Sequence, residues 1–243
     1  MSYNLKYSQY NERSILIEWP AIIDENILNS VLNFKICIQK EYIKLKVEVI
    51  HTYSSILIIY DFTIDNINDR ILTLKRLFKG HNPTAGNVSR TWEIPVYYDN
   101  EYGTDLEYLC SEKKYSKAEI IQLHSEPIYT VYFIGFLPGF LYLGGLDKEL
   151  FLDRKTTPNL NVKKGSVAIG GQQTGIYPQD SPGGWHVIGK TPIELFQITH
   201  NPPCLINAGD KLKFKPIDRQ EYLEIENQIS RLSFQLKPIT PNA

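Results

Sequence analysis

Glycine is unevenly distributed along this 243-residue chain, and its distribution limits the folds that the chain can adopt. Only two of the 15 glycines lie within residues 1–90, whereas eleven lie between Gly135 and Gly189. Glycine permits the tight corners and close backbone approaches that strongly bent strands require. The distribution therefore predicts two domains, 1–88 and 89–243, with tightly cornered β-structure in the second.

The first domain is predicted to alternate strands and helices. Apolar or alternating segments rich in β-branched residues predict four strands, and two segments with apolar residues at helical spacing predict two helices. Asp24 is suited to cap the first helix, and Asp65 or Asn66 the second. The strands are predicted at 4–9, 14–19, 44–49 and 54–61, and a connector rich in Gly, Pro and Asn at 79–89. The order β-β-α-β-β-α predicts a small α+β domain with both helices on one face of a sheet.

The second domain is predicted to be mainly β. Two short helices each begin with a capping-box pattern, Thr104 to Glu107 and Ser116 to Glu119, which would satisfy backbone donors at the helix start. From residue 129 onward, turn residues at short intervals favour a closed β-barrel. A further strand is predicted at 92–98 and a terminal helix at 222–232.

Composition and charge exclude several classes of function. The chain has 26 basic and 27 acidic residues, so it offers no overall electrostatic case for binding nucleic acid or an anionic membrane. The uncharged tract 127–146 is long enough to span a bilayer, but Pro138 and four glycines interrupt it, and we expect two buried strands around a turn. Widely spaced cysteines and histidines predict no metal site. The polar start, without an apolar signal segment, predicts a cytoplasmic location.

Residues 184–191 satisfy the phosphate-loop pattern G-x-x-x-x-G-K-[ST]. That motif requires a preceding strand and a helix that begins at its Lys and Thr. Here Pro178 and Pro182 precede the pattern, and Pro192 follows it directly, which disfavours a helical conformation at its last residue. We therefore predict a β-turn-β element that binds no nucleotide phosphate.

Two glycine clusters, 135–146 and 170–178, are candidate ligand-binding segments. Their glycines could serve only as corners of a barrel, or they could let backbone N–H groups approach a ligand carboxylate or oxyanion. The sequence leaves both interpretations open. Arg154 lies between the clusters. It is either an ordinary solvated arginine or a planar donor for a substrate carboxylate or phosphate.

His124 ends the helix that is predicted to begin at Ser116. Its side chain could satisfy the last carbonyl groups of that helix, which is a common feature of helix ends. It could instead act as a general acid or base. On the residues alone we favour the helix-end role.

Two long motifs stand in the second domain. The first is Val131-Tyr-Phe-Ile-Gly-Phe-Leu-Pro-Gly-Phe-Leu-Tyr-Leu-Gly-Gly-Leu-Asp147. The second joins Gly165-Ser-Val-Ala-Ile-Gly-Gly-Gln-Gln-Thr-Gly-Ile-Tyr-Pro178 to Ser181-Pro-Gly-Gly-Trp-His-Val-Ile-Gly-Lys-Thr-Pro192. They resemble the signatures of the 5-oxoprolinase B subunit family, also called allophanate hydrolase subunit 1, which includes an inhibitor of a sporulation histidine kinase. Asn159, where the family commonly has Arg, and Lys163-Lys164, where it commonly has Pro-Ala, depart from the pattern.

The resemblance implies a cyclophilin-like β-barrel of the carboxyltransferase subdomain C/D type, preceded by a small α+β domain. It also implies ATP-dependent opening of 5-oxoproline to L-glutamate by a complex of three different subunits. The partners would be the other two 5-oxoprolinase subunits, one of them a homologous barrel, with ATP and Mg²⁺ bound by the complex and not tightly by this chain. Alternative implications are a regulator that binds a histidine kinase and a component of an allophanate- or urea-processing enzyme.

The implied reaction needs donors to an oxyanion, a group that holds the carboxylate and a proton shuttle, and we assign these roles by residue type and position. We expect His124, Gln173 and Thr174 to be catalytic, with His124 as proton shuttle and the other two as donors to an oxyanion. Arg154 is expected to hold the substrate carboxylate. Further substrate contacts are expected from Phe136, Gly139, Tyr142, Tyr177, Gly183, Gly184 and Trp185. The glycine clusters should converge on one groove with Arg154 and His124 at its edge, and the chain alone should be inactive.

Overall fold

The structure, a computed structural model, describes residues 3–43, 46–80 and 89–239. The chain divides into two compact units, Met1–Val88 and Ser89–Ala243. Each unit has its own apolar core. Most of the predicted connector, residues 81–88, lies outside the described residues.

The first unit is an antiparallel sheet with two helices. Its elements are β1 (Lys6–Asn11), β2 (Ser14–Glu18), α1 (Glu25–Glu41), β3 (Val47–His51), β4 (Ser55–Tyr60) and α2 (Ile67–Gly80), and the strand order is β1-β2-β4-β3. The order of these elements along the chain confirms the predicted β-β-α-β-β-α domain. Lys44 and Leu45, at the start of the third predicted strand, lie outside the described residues.

Side-chain caps fix the start of both helices in the first unit. The Asp24 carboxylate accepts from the backbone N–H groups of Asn26 and Ile27 at 2.9 and 3.0 Å, as predicted. Asn66, and not Asp65, caps α2, because its Oδ1 accepts from the Asp69 N–H at 3.2 Å. Each cap satisfies donors that have no partner within the helix.

The second unit is built on a closed barrel of seven strands within residues 89–239. In chain order its elements are β5 (Thr91–Tyr97), α3 (Leu106–Lys113), α4 (Lys117–Ser125), β6 (Ile128–Ile134), β7 (Leu141–Gly144), β8 (Asn159–Val162), β9 (Ser166–Gly170), β10 (Gln173–Ile176), β11 (Ser181–Gly183), β12 (His186–Lys190), β13 (Lys211–Ile217), α5 (Arg219–Ser230) and β14 (Pro238–Ile239). The order around the barrel is β12-β9-β10-β7-β6-β13-β5, and pairing of β12 with β5 closes it. The predicted mainly-β second domain is confirmed.

Two segments with alternative interpretations in the sequence are strands in the structure. The uncharged tract 127–146 forms β6 and β7 around a turn, as predicted, and no helix in the described part of the chain is long and apolar enough to cross a membrane. The phosphate-loop pattern forms β12, and no helix begins at Lys190.

Of the two predicted capping boxes, one forms. Ser116 and Glu119 cap α4 reciprocally: the Glu119 N–H donates to Ser116 Oγ at 3.3 Å, and the Ser116 N–H donates to the Glu119 carboxylate at 2.8 Å. The box predicted at Thr104 is wrong, because α3 begins one residue later, after Asp105. The Asp105 carboxylate does not cap its helix but accepts from the Val187 N–H at 2.7 Å, which ties α3 to β12.

Candidate functional site

Strand β10 presents its predicted site residues on opposite faces, because side chains alternate along a strand. Thr174 is fully buried on the inner face, where its hydroxyl contacts the His124 ring. On the outer face, a Cβ added to Gly175 would lie 3.0 Å from the Trp185 ring and 3.1 Å from the Phe140 ring. Gln173 has the same parity as Gly175 and shares the outer face.

The inner face contains a chain of hydrogen bonds centred on His124. Its Nδ1 lies 2.7 Å from the Tyr98 hydroxyl and its Nε2 lies 2.8 Å from Thr174 Oγ1. The Thr174 hydroxyl donates to the Ala168 carbonyl at 3.1 Å, so it must accept from Nε2–H. Nδ1 therefore accepts from the Tyr98 hydroxyl. These hydrogen bonds join four segments: the residue that follows β5, helix α4, strand β10 and strand β9.

Burial keeps the His124 ring neutral. The residue is fully buried, and its ring stacks on Phe214 at 4.6 Å between centroids. Desolvation lowers the pKa of His124 to about 3, because burial disfavours the charged imidazolium. At neutral pH the ring therefore carries one proton, on Nε2, and that proton is donated to the buried Thr174 hydroxyl.

The predicted position of His124 at the edge of a groove is wrong, since the residue lies inside the barrel. The favoured helix-end role is also wrong, because both ring nitrogens contact side chains and the His124 carbonyl accepts from the Tyr129 hydroxyl at 2.7 Å. Thr174 is likewise turned away from any groove, with its hydroxyl engaged by His124 and Ala168. The sequence did not show which face of β10 each residue would occupy.

On the outer face, four rings form an aromatic cluster, Phe140, Tyr142, Tyr177 and Trp185. Phe140 makes edge contacts with Tyr177 at 5.0 Å and with Trp185 at 5.5 Å, and Tyr142 contacts Trp185 at 5.7 Å between centroids. Burial raises the pKa of Tyr177 to about 12, so its phenol stays protonated. Phe140, Tyr177 and Trp185 are buried, so the cluster is a second apolar core packed against the outer face of the barrel.

The glycines beside the aromatic cluster make room for its rings. A Cβ on Gly170 would come within 2.5 Å of the Trp185 indole, and one on Gly183 within 2.2 Å of the Tyr177 hydroxyl. Gly139, at φ 86°, packs against Phe196 in the turn between β6 and β7. Close packing against these side chains therefore explains why glycine occupies these positions.

Arg154 lies at the border of the aromatic cluster. Its guanidinium stands over the Trp185 ring, 5.6 Å from the centroid, and the side chain is exposed. Within the described residues we find no acidic partner for it. The backbone beside it is fixed, because the Lys155 N–H donates to the Gly184 carbonyl at 2.7 Å. A stacked guanidinium without a carboxylate partner is suited to bind a ligand carboxylate.

A groove of about 750 Å³ begins at Arg154 and was not predicted from the sequence. Its walls come from α3, the loop 151–157, the turn between β9 and β10, and the start of β12. Tyr108 of α3 lies parallel to the His186 ring, 5.4 Å away between centroids. These residues are distant in sequence, and the one signal for His186 was its position directly after Trp185 in the second motif.

The structure thus brings together some of the predicted site residues and separates others. Arg154, Tyr142, Tyr177, Gly183, Gly184 and Trp185 lie around the aromatic cluster. Phe136, at the tip of the neighbouring turn, is 64% exposed, and its ring lies 5.8 Å from that of Phe140. Gln173 is 9% exposed, and its Nε2 has no hydrogen-bond partner among the described residues. Its role, and those of the cluster residues, remain predictions.

The phosphate-loop pattern does not adopt the geometry of a phosphate site. The phosphate-loop pattern is an extended strand, and the Lys190 ammonium lies over the Tyr102 ring, 4.5 Å from its centroid. No group of three or more His, Cys, Asp or Glu in the part of the chain that the structure describes could hold a metal ion.

Comparison with known proteins places this geometry in context. The sequence matches the family described as carboxyltransferase domain, subdomain C and D, over residues 5–206. It is 47% identical over 133 residues to the 5-oxoprolinase B subunit of Bacillus subtilis, which covers 55% of each protein. It is 44% identical over 168 residues to the 5-oxoprolinase B subunit of Haemophilus influenzae, 69% of this chain and 78% of the relative. A match to the urea amidolyase of Lachancea kluyveri has 27% identity and covers 57% of this chain but 8% of that protein. The chain thus spans just over half of the B. subtilis relative.

Solved structures share the fold. The TTHA0988 protein superposes with a TM-score of 0.74 at 30% identity, covering 85% of this chain and 40% of that one. Protein PH0987 of Pyrococcus horikoshii has a TM-score of 0.53 at 38% identity, covering 89% of this chain and all of the other. The urea carboxylase of Kluyveromyces lactis has a TM-score of 0.82 at 18% identity over 98% of this chain and 24% of its own, which shows a common fold alone.

Proposed function

The chain belongs to the carboxyltransferase subdomain C and D family, and from that premise we propose that it is a subunit of an ATP-dependent 5-oxoprolinase complex, which opens 5-oxoproline to L-glutamate. The observation that carries the proposal is the sequence identity with two bacterial proteins named as the B subunit of 5-oxoprolinase. Those names also support a complex of several subunits, in which this chain provides one part of the site.

The proposed substrate is a five-membered lactam that carries a carboxylate. A lactam carbonyl is a poor electrophile, and phosphorylation of its oxygen by ATP would create a group that water can displace. The phosphate-loop pattern is an extended strand, and no group of three or more His, Cys, Asp or Glu in the described residues could hold a metal ion. We therefore assign ATP and Mg²⁺ to another subunit of the complex. This chain would bind and orient the lactam.

Two groups outside the barrel interior are suited to bind and orient the lactam. Arg154, stacked on Trp185 and without an acidic partner in the described residues, would hold the substrate carboxylate. Gln173 has a buried amide nitrogen without a partner among those residues, and that nitrogen could donate to the lactam carbonyl as negative charge develops on it. His124 is left out of the proposed contacts because it is fully buried.

The other two functions have weaker support. A urea-processing role is supported by the 27% identity with urea amidolyase, but that match covers 8% of the relative. A histidine-kinase regulator is not favoured, since none of the relatives named above is described as one.

Deletion of the gene in its native host tests the proposal. The deletion strain should accumulate 5-oxoproline and fail to use it as a nitrogen source, and the wild-type gene should restore both. A gene with Arg154→Gln should restore little, because hydrogen bonds to charged groups are worth about 1.5–3 kcal/mol, or about 10- to 100-fold in binding. Arg219→Gln, which removes an exposed arginine paired with Glu101, is the matched control. Normal disposal of 5-oxoproline by the deletion strain would reject the proposed function.

A further inference from the structure

His186 is a buried histidine with one unused nitrogen in the wall of the groove. The residue is 6% exposed, and its Nε2 lies 3.0 Å from the Asp153 carbonyl oxygen. A carbonyl oxygen can only accept, so Nε2 carries a proton and donates. Nδ1 is buried and has no hydrogen-bond partner among the described residues. In the neutral ring, Nδ1 is therefore an unused acceptor.

An unused buried acceptor is unfavourable for folding. Such a group has lost its hydrogen bonds to water without gaining others, and most buried polar groups in proteins have partners. The same unit satisfies both nitrogens of its other buried histidine, His124. A hydrogen-bond donor from another molecule would therefore satisfy His186 Nδ1.

The charges around the groove indicate what kind of molecule would supply the missing partner. Of the three basic residues in its wall, Lys155 pairs with Asp105 at 2.7 Å, and Lys113 donates to the Phe151 carbonyl. Arg154 has no acidic partner within the described residues. The carboxylates of Glu112 and Asp153 also line the groove. Beside them the groove offers, among the described residues, a cation without an acidic partner and an unused nitrogen acceptor, and a ligand with a carboxylate and an N–H group would satisfy both.

We propose that His186 is a substrate-contacting residue, whose Nδ1 accepts the N–H of a small lactam carboxylate while Arg154 binds the carboxylate. This inference rests on the proposed function and deepens it. In 5-oxoproline the N–H is bonded to the carbon that carries the carboxylate, so the two groups are presented side by side. Tyr108, half exposed and stacked on the imidazole, would form the adjoining wall.

A matched pair of ligands isolates the proposed contact. In 5-oxotetrahydrofuran-2-carboxylate a ring oxygen replaces the N–H of 5-oxoproline, while the carboxylate and the ring size are unchanged. Calorimetry with the purified chain, and inhibition or turnover in the reconstituted complex, should show that the lactam binds about tenfold tighter than the lactone, since about 1.4 kcal/mol corresponds to a factor of ten.

A matched pair of variants assigns that preference to Nδ1. His186→Leu removes the acceptor and should bring the lactam-to-lactone ratio close to one. His186→Asn has nearly the shape of leucine but keeps an acceptor near the position of Nδ1, and it should retain most of the preference. His200→Phe, at an exposed histidine, should leave the ratio unchanged. Where His186→Leu fails to fold, the ¹⁵N shift of wild-type His186 Nδ1 should move with the lactam and not with the lactone.

Three results would overturn the inference: equal binding of the two ligands by the wild type, an unchanged ratio in a folded His186→Leu variant, or no binding of either ligand by chain and complex. The proposed function fails separately. A complex that opens 5-oxoproline but shows an unchanged ratio in His186→Leu rejects the role of His186 alone, whereas a complex inactive on 5-oxoproline rejects the function.

Discussion

At the scale of single residues, His124 shows how burial decides the role of a titratable group. The two roles considered from the sequence both required access, either to solvent or to the carbonyls at a helix end. The structure instead surrounds the ring with Tyr98, Thr174 and Phe214, which come from three distant segments. No local pattern could have predicted these partners, because they meet only when the barrel closes.

This burial makes the stability of the second unit depend on pH. The folded state keeps His124 neutral, with a pKa of about 3, whereas the unfolded chain takes up a proton below about 6.5. The unfolded state therefore binds more protons in acid, and the free energy of unfolding should fall as the pH drops from about 6.5 towards 3. Between about pH 8 and 5 the contribution of this group should be about 2 kcal/mol.

Urea unfolding of the wild type and of His124→Gln at both pH values measures that contribution as a difference. The variant should be less stable than the wild type at high pH, because Tyr98 and Thr174 lose their shared partner. It should also lose less stability on acidification. An identical pH dependence in both proteins would show that His124 is not neutral in the folded state.

Gly170 offers a second test at residue scale. Alanine there would place its Cβ within 2.5 Å of the Trp185 indole, so the ring must shift, and overpacking of this kind costs about 1–3 kcal/mol. Gly135→Ala is the matched control, since the nearest atom to its Cβ is 3.4 Å away, in ordinary contact. Equal stability of the two variants in thermal unfolding would contradict the close packing of Trp185 on β9.

At the scale of elements, features that depend only on neighbouring residues were predicted correctly from the sequence. The cap at Asp24 and the capping box at Ser116 were identified because a helix start depends on neighbours within three residues. Thr104 failed as a cap because Asp105 is held by β12, 82 residues further along the chain. The pairing of β12 with β5, and the groove whose wall includes the start of β12, depend on similarly distant contacts.

In strand β12 a sequence that matches the phosphate-loop pattern lacks the geometry of a phosphate loop. In the extended strand the Lys190 ammonium lies over the rings of Tyr102 and Tyr222, at 4.5 and 5.8 Å from their centroids. We therefore expect Lys190→Met to change the KM for ATP of the reconstituted complex by less than about twofold, because its cation–π contacts contribute to packing and not to phosphate binding. A loss of ATP affinity of about 100-fold, typical of a removed phosphate contact, would contradict this assignment.

At the scale of the whole molecule, the order of strand and helix patterns predicted an α+β domain, and the glycines and turn residues predicted a mainly-β barrel after it; both are confirmed. Arg154 and Trp185 were named from the sequence and lie together in the structure. The groove beside them was missed, because its walls come from four separate parts of the second unit. At the aromatic cluster Arg154 has no acidic partner in the described residues, and no group of three or more His, Cys, Asp or Glu in that part of the chain could hold a metal ion. We therefore propose that this chain holds the substrate and depends on partner subunits for its activation.

The most direct test of that claim is glutamate release from 5-oxoproline by this chain with its two proposed partner subunits, measured with every subunit omitted in turn. We expect ATP-dependent release only when all three are present, and no turnover by this chain alone. We also expect Arg154→Gln to raise the KM for 5-oxoproline about 10- to 100-fold more than it lowers kcat, because the guanidinium binds a carboxylate that takes no part in the ring opening. Turnover by the isolated chain, or full activity of the partners without it, would show that this chain is not a substrate-binding subunit that depends on its partners.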